Sequence, residues 1–248
     1  MFKKLVKKII DFPYQHSALK SDARQMHKEA LWAQKENQCL QYLLNLLGPG
    51  NYLPQTEMAM SPVTICHILN EIIIKKRSNI IEFGAGNSTV YIAKIIKSLG
   101  LQVKFYSVDS DEQWINQVAE NLAALGVKDA VEFIYSPVKD TGEYASALAS
   151  SFKWYDAGVL KQRTLSQEFD LIIVDGPTGS LCPFSRYPAI PFLLNSLAGS
   201  YCIFLDDAGR IDESEILKAW AGLTGQKITE INKRYACISK NSAFITKP

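Results

Sequence analysis

Two groups of residues in this chain have the types and spacing to do chemistry. The first is Glu82-Phe83-Gly84-Ala85-Gly86-Asn87-Ser88-Thr89, where a short apolar run ends in an acid, passes through Gly-x-Gly and opens an amphipathic stretch. A strand, a glycine turn and a helix start make a nucleotide cradle, because the glycines let the backbone approach a ligand and the helix N-terminal N–H groups face it. Asp109 stands 23 residues past Gly86, at the end of the next apolar run. From that position an acid accepts hydrogen bonds from ribose hydroxyls. The second group is acidic: Asp175 ends one apolar run, and Asp206 and Asp207 end another. In an open α/β sheet, ligands sit beyond the carboxyl ends of the strands. Three carboxylates converging there suit an oxygen-ligated Mg²⁺, and Asp175 alone suits a general base.

A glycine turn with a ribose acid serves a dinucleotide or S-adenosylmethionine (SAM) equally well. The third glycine of Gly-x-Gly-x-x-Gly, which lets helix and strand pack closely, is replaced by Thr89. Glu82 repels a pyrophosphate and attracts the ammonium group that SAM carries. Both features favour SAM. An NAD-linked oxidoreductase is the competing enzyme reading, and a binding protein that keeps the fold without catalysis is the competing non-enzyme reading.

Composition narrows the remaining classes. At 248 residues and 47% apolar content the chain can build one full α/β core with a helical extension. A net charge of +2 with scattered basic residues shows no nucleic-acid footprint. The five cysteines are widely spaced without Cys-x-x-Cys, which reads as reduced thiols in a cytoplasmic protein. The three histidines (His16, His27, His67) all precede the glycine loop, so a histidine metal site or a Ser-His-Asp triad is not expected.

The elements that must position these residues follow from periodicity. Residues 2–10 place Phe2, Leu5, Val6, Ile9 and Ile10 on one helical face and four lysines on the other. Such a helix suits either peripheral contact with an anionic membrane surface or docking on the domain or on a second subunit of a homodimer. A second helical stretch runs from about 21 to 47 and stops at Gly48-Pro49-Gly50. Ser61-Pro62 reads as an N-cap with proline at the first helical position, opening a helix to about 76. Strands are predicted at 79–83, 103–108, 131–135, 170–175 and 201–206, with helices near 88–99, 111–125, 188–198 and 211–223. The tail, 227–232 and 236–246, reads as a β-hairpin. The sum is a doubly wound, Rossmann-like, seven-stranded sheet, mostly parallel with an antiparallel C-terminal hairpin. An N-terminal helical extension (1–77) precedes the ligand-binding domain (78–248).

The glycine loop, Asp109, Phe169-Asp170-Leu171-Ile172-Ile173-Val174-Asp175-Gly176-Pro177, Leu205-Asp206-Asp207 and the closing hairpin together resemble class I SAM-dependent methyltransferases. They look most like the bacterial small-molecule and sugar O-methyltransferases. The resemblance implies that Gly84 and Gly86 pass under the methionine part of SAM, with Ala85 and Ser88 in the same loop and Glu82 near the amino group. It places Asp109 on the ribose with Ser110 beside it, and Ser136 and Pro137 against the adenine. It also supports Asp175, Asp206 and Asp207 as metal ligands, although Gly176-Pro177 stands where metal-dependent members usually carry a polar residue. The acceptor is expected among two inserts, 153–156 and 183–188, whose Trp154, Tyr155 and Arg186 suit a polar, ring-bearing or sugar-like molecule. Trp154 and Tyr187 serve equally well as hydrophobic anchors for those inserts.

Overall fold

A computed structural model describes residues 2–164, 166–242 and 244–248; the side chains of residues 2–22 and of Ile231 lie outside that description. The backbone from Phe2 to Leu47 is one helix, α1, rather than two. Glycine is absent before Gly48, and residues 17–46 are rich in Ala, Leu, Gln, Glu and Lys, so nothing after Pro13 stops propagation. Gly48 and Gly50, at φ +88° and +80°, end it. The membrane or subunit role expected of residues 2–10 falls on side chains outside the described ones. Among the described residues no helix is long and apolar enough to cross a membrane. Helix α2 (Pro62–Lys75) starts as predicted, with the Ser61 hydroxyl accepting from Thr64 N at 3.2 Å and proline in the first turn.

The sheet follows: β1 (Asn79–Phe83), α3 (Asn87–Ser98), β2 (Lys104–Asp109), α4 (Glu112–Ala124) and β3 (Glu132–Tyr135). After an insert come β6 (Phe169–Val174), α6 (Ala189–Leu193), β7 (Leu197–Asp206), α7 (Ile211–Thr224), β8 (Ile228–Ile231) and β9 (Tyr235–Lys240). The seven strands lie in the order β3-β2-β1-β6-β7-β9-β8. The first five are mutually parallel, and β9 runs antiparallel to both β7 and β8. Alternate side chains of the central strands feed two separate cores. Ile80, Phe105, Leu171, Ile173, Cys202 and Phe204 face α2, α3 and the C-terminal half of α1, where Cys39, Leu43 and Leu47 are buried. Ile81, Val108, Ile172, Val174, Ile203 and Leu205 face α6, α7 and the insert. Period-2 alternation with both faces covered is why these strands read as near-continuous apolar runs.

Two further boundaries and one insert differ from expectation. The helix predicted over 188–198 stops at Leu193, because Leu197 pairs with Phe169 across an irregular start to β7 and tertiary pairing overrides helical periodicity. The last strand stops at Lys240, where Asn241 turns to φ +56° and donates to the Gly199 carbonyl at 2.7 Å. The insert between β3 and β6 is not bare loop. It forms a two-stranded antiparallel ribbon, β4 (Val138–Thr141) with β5 (Phe152–Tyr155), followed by α5 (Ala157–Thr164).

Candidate active site

Strand order reverses direction at β1, flanked by β2 on one side and β6 on the other, and the crevice opens at their carboxyl ends. Two backbones meet there without side chains between them. Gly84 sits at φ +100°, and a Cβ on it would fall 2.8 Å from Gly176 N; one on Gly176 would fall 2.9 Å from Gly84 Cα. Asp175 N and Gly176 N both donate to the Phe83 carbonyl, at 2.9 and 2.7 Å. The glycine loop and the Asp175 turn are therefore locked together, and only glycine fits either position.

Glu82 is fully buried beneath this loop and does not reach the cavity. Its carboxylate accepts from Ser88 Oγ and Thr89 Oγ1, both at 2.5 Å, and from Ser107 Oγ at 2.8 Å. Burial pushes it up to about 7, against the pull of those three hydroxyls. Glu82, expected near a ligand amino group, lies under the loop rather than on the cavity wall and fixes the loop's shape. Thr89 completes the brace, since its Oγ1 also accepts from Gly86 N at 2.9 Å. The replacement for the third glycine ties the first turn of α3 to β1.

Asp109 lies on the cavity wall and accepts from Ala85 N at 2.9 Å and Asp111 N at 3.0 Å. Burial raises its pKa, opposed by those backbone donors. Asp111 caps α4, accepting from the Gln113 and Trp114 N–H groups, and Trp114 Nε1 donates to the Ala85 carbonyl at 2.7 Å. Trp114 is a half-exposed aromatic face on this wall that sequence reasoning missed. The signal was an indole in the first turn of the helix after Asp109.

One cavity of about 980 Å³ runs along these groups. Gly84, Ala85, Gly86, Ser88, Asp109, Ser110 and Trp114 line one part; Tyr155, Asp175, Arg186, Asp206 and Asp207 line another. The segment from Pro54 to Ser61, also missed, supplies a further wall, pinned where Asn87 Nδ2 donates to the Pro54 carbonyl at 2.8 Å. Three expected residues lie elsewhere. Ser136 is buried, with its N–H on the Asp109 carbonyl at 2.9 Å, and neither it nor Pro137 lines the cavity. Trp154 is wholly buried among Phe83, Tyr144, Tyr155 and Phe192, so it serves as the insert's hydrophobic anchor rather than on the acceptor wall. The alternation of β5 turns its indole into the core.

The acids are gathered around Arg186, a buried guanidinium carried by the β6–α6 connection. Arg186 Nη2 lies 3.1 Å from Asp175 Oδ1 and 3.3 Å from Asp207 Oδ2; Nη1 donates to the Asp206 carbonyl at 3.1 Å. Glu213 approaches at 3.8 Å, and Arg210 pairs with Asp207 at 2.9 Å. Carboxylate oxygens of Asp175, Asp206 and Asp207 come within 4.8 Å of one another. Asp206 Oδ1 is buried without a hydrogen-bond partner among the described residues. Burial pushes Asp175 up to about 7 against the pull of Arg186, and raises Asp206 well above the carboxylate range. With all four acids ionised, two arginines leave a deficit of positive charge, and one oxygen is orphaned; a divalent cation fits both features.

A family profile described as a methyltransferase domain matches residues 81–208, just over half of the chain. No curated protein sequence matches. Among solved structures, the fold is similar to SAH-bound methyltransferase PaMTH1 from Podospora anserina, where SAH is S-adenosylhomocysteine (16% identity, 82% of this chain and 88% of that one, TM-score 0.55). It is similar to an O-methyltransferase from Bacillus cereus in complex with SAH (16% identity, 82% and 91%, TM-score 0.53). A third is the O-methyltransferase TomG from Streptomyces achromogenes, involved in tomaymycin synthesis and solved with SAM (13% identity, 77% and 92%, TM-score 0.52).

Proposed function

The chain belongs to the methyltransferase-domain family and has the Rossmann-like fold of class I SAM-dependent methyltransferases; from that premise we propose that it methylates a hydroxyl of a small molecule or sugar. The observation that carries this reading is the continuity of one cavity from the Gly84–Gly86 loop and Asp109 to the Asp175–Asp206–Asp207 cluster. A cradle for an adenosyl ligand and a set of proton-accepting acids share one space. The family match does not favour an oxidoreductase.

SAM supplies an electrophilic methyl group on a sulfonium. In this chain the loop 84–86 and Asp109 hold it, Ser110 and Trp114 border it, and the Glu82–Ser88–Thr89 brace keeps the loop in one shape. Orientation of this kind is worth up to about 7–11 kcal/mol of a displacement barrier. Asp175 takes the proton of the acceptor hydroxyl. Its raised pKa suits that task, since a base is most useful when its pKa lies near the working pH. Arg186, which also lines the cavity, holds the Asp175 carboxylate in place. Mg²⁺ on Asp175, Asp206 and Asp207 would lower the hydroxyl's pKa. Tyr155, on the cavity wall beside Gly176, shapes the acceptor's space.

Calorimetry tests the assignment: SAH should bind with micromolar affinity and NAD should not. Native mass spectrometry of the purified protein showing co-purified SAH would support it independently. Binding of NAD with no response to SAH would overturn it.

A further inference from the structure

We propose that the methyl acceptor carries an anionic group, a carboxylate or a phosphate, and that Arg234 is the residue that selects it. The proposal rests on the methyltransferase reading of the cavity. Three arginines line that cavity, and two are committed: Arg186 to Asp175 and Asp207, Arg210 to Asp207 and Glu213. Arg234 is exposed at the rim and has no ion pair among the described residues. A guanidinium is a planar fork that matches carboxylate and phosphate oxygens, so an uncommitted one facing a ligand space marks an anion position.

The turn that presents Arg234 is held in place. Asn232 Oδ1 accepts from Arg234 N at 2.8 Å and Tyr235 N at 3.0 Å, and Asn232 N donates to the Tyr235 carbonyl at 3.0 Å. The same turn is clamped onto the connection after β7, where Gly209 N donates to the Lys233 carbonyl at 3.1 Å. A Cβ on Gly209 would fall 2.7 Å from that oxygen, so only glycine permits the approach. The β8–β9 turn is thereby docked beside Asp207 and Arg210 rather than projecting into solvent. Glu57 on the Pro54–Ser61 wall and Asp111 keep the rest of the cavity from attracting anions in general. Selection must come from the local fork. The acceptor would present a hydroxyl inward to Asp175 and its anionic group outward to Arg234.

Matched probes test this on the full-length protein saturated with SAH: 3,4-dihydroxybenzoate against 3,4-dihydroxybenzamide, and glucose 6-phosphate against glucose, by calorimetry. In at least one pair the anionic member should bind about tenfold tighter, the scale of one charge-assisted contact at a half-open site. Arg234→Gln should bring the two members within about twofold, and Arg234→Lys should keep part of the preference, with SAH affinity unchanged in both. Equal or absent binding of both members in both pairs, or a preference that survives Arg234→Gln, overturns the proposal. Failure of SAH itself to bind counts against the methyltransferase reading instead, and the same pairs measured without SAH still decide for or against Arg234.

Discussion

Asp109 and Glu82 are both acids at strand ends, yet they act on the loop in different ways. Asp109 lines the cavity, with Oδ2 accepting from Ala85 N and Oδ1 from Asp111 N. Replacing it with Ala removes a charged acceptor and frees the Ala85 N–H, so SAH binding should weaken by about 1–3 kcal/mol in calorimetry. An unchanged dissociation constant would remove Asp109 from the site. Glu82 should show itself in stability instead. Its pKa rises from 4.5 to about 7 on folding because burial disfavours the charge. The folded state therefore binds a proton that the unfolded state releases above pH 4.5. Stability from this group is complete below pH 4.5 and is lost as pH rises through 7. Urea denaturation of Glu82→Gln between pH 5 and 8 should give a shallower fall with pH than the native chain. Asp109, Asp175 and Asp206 share the direction of shift and keep some slope in the variant. An identical slope would mean that Glu82 is ionised in both states.

At the scale of elements, the insert between β3 and β6 shows what a sequence can and cannot say. Its length and position announced a wall of the crevice, and Tyr155 does line it. Its ribbon was illegible because β4, Val138–Thr141, has one apolar residue, none fully buried, and no clean alternation. Without the strand, the face of Trp154 could not be assigned, and the indole turned out to be core. Trp154 Nε1 has no hydrogen-bond partner among the described residues. Trp154→Ala should cost about 3–5 kcal/mol in chemical denaturation, the range for a large aromatic removed from a packed interior. Trp154→Phe should cost much less, because the lost volume is offset by removal of an unpaired buried donor. If Trp154 instead touched the acceptor, the Phe variant would lose kcat/KM at native stability. The strands themselves were legible to within a residue or so for β1, β2, β3 and β6, because burial on both faces writes long apolar runs. The start of β7 was not, because its pairing with Phe169 is a long-range fact.

Across the whole molecule, the acid cluster is the feature that no single segment encodes. Asp175 and the Asp206-Asp207 pair were visible as strand ends, and parallel topology predicts their convergence. Arg186 was expected to face an acceptor, and only the packed fold shows it between the carboxylates with Glu213 of α7 behind it. That placement sets up two outcomes. If Asp175, Asp206 and Asp207 hold Mg²⁺, EDTA should abolish methyl transfer to a hydroxyl acceptor while SAH binding persists, since the glycine loop is held to the Asp175 turn through backbone bonds that chelation leaves intact. Asp206→Asn and Asp207→Asn should each imitate chelation, because an amide is a weaker ligand for a hard cation. If Arg186 alone supplies the positive charge, EDTA should leave the rate unchanged and only Asp175→Asn should cost activity. That loss would be roughly 10²-fold or more, as expected for a missing general base. In this second case the rate should rise with pH through about 7 as the Asp175 carboxylate ionises, and the Asn variant should lose that rise. A rate insensitive to EDTA together with an active Asp206→Asn, Asp207→Asn double variant rules out the metal and leaves the buried arginine as the cluster's counter-charge.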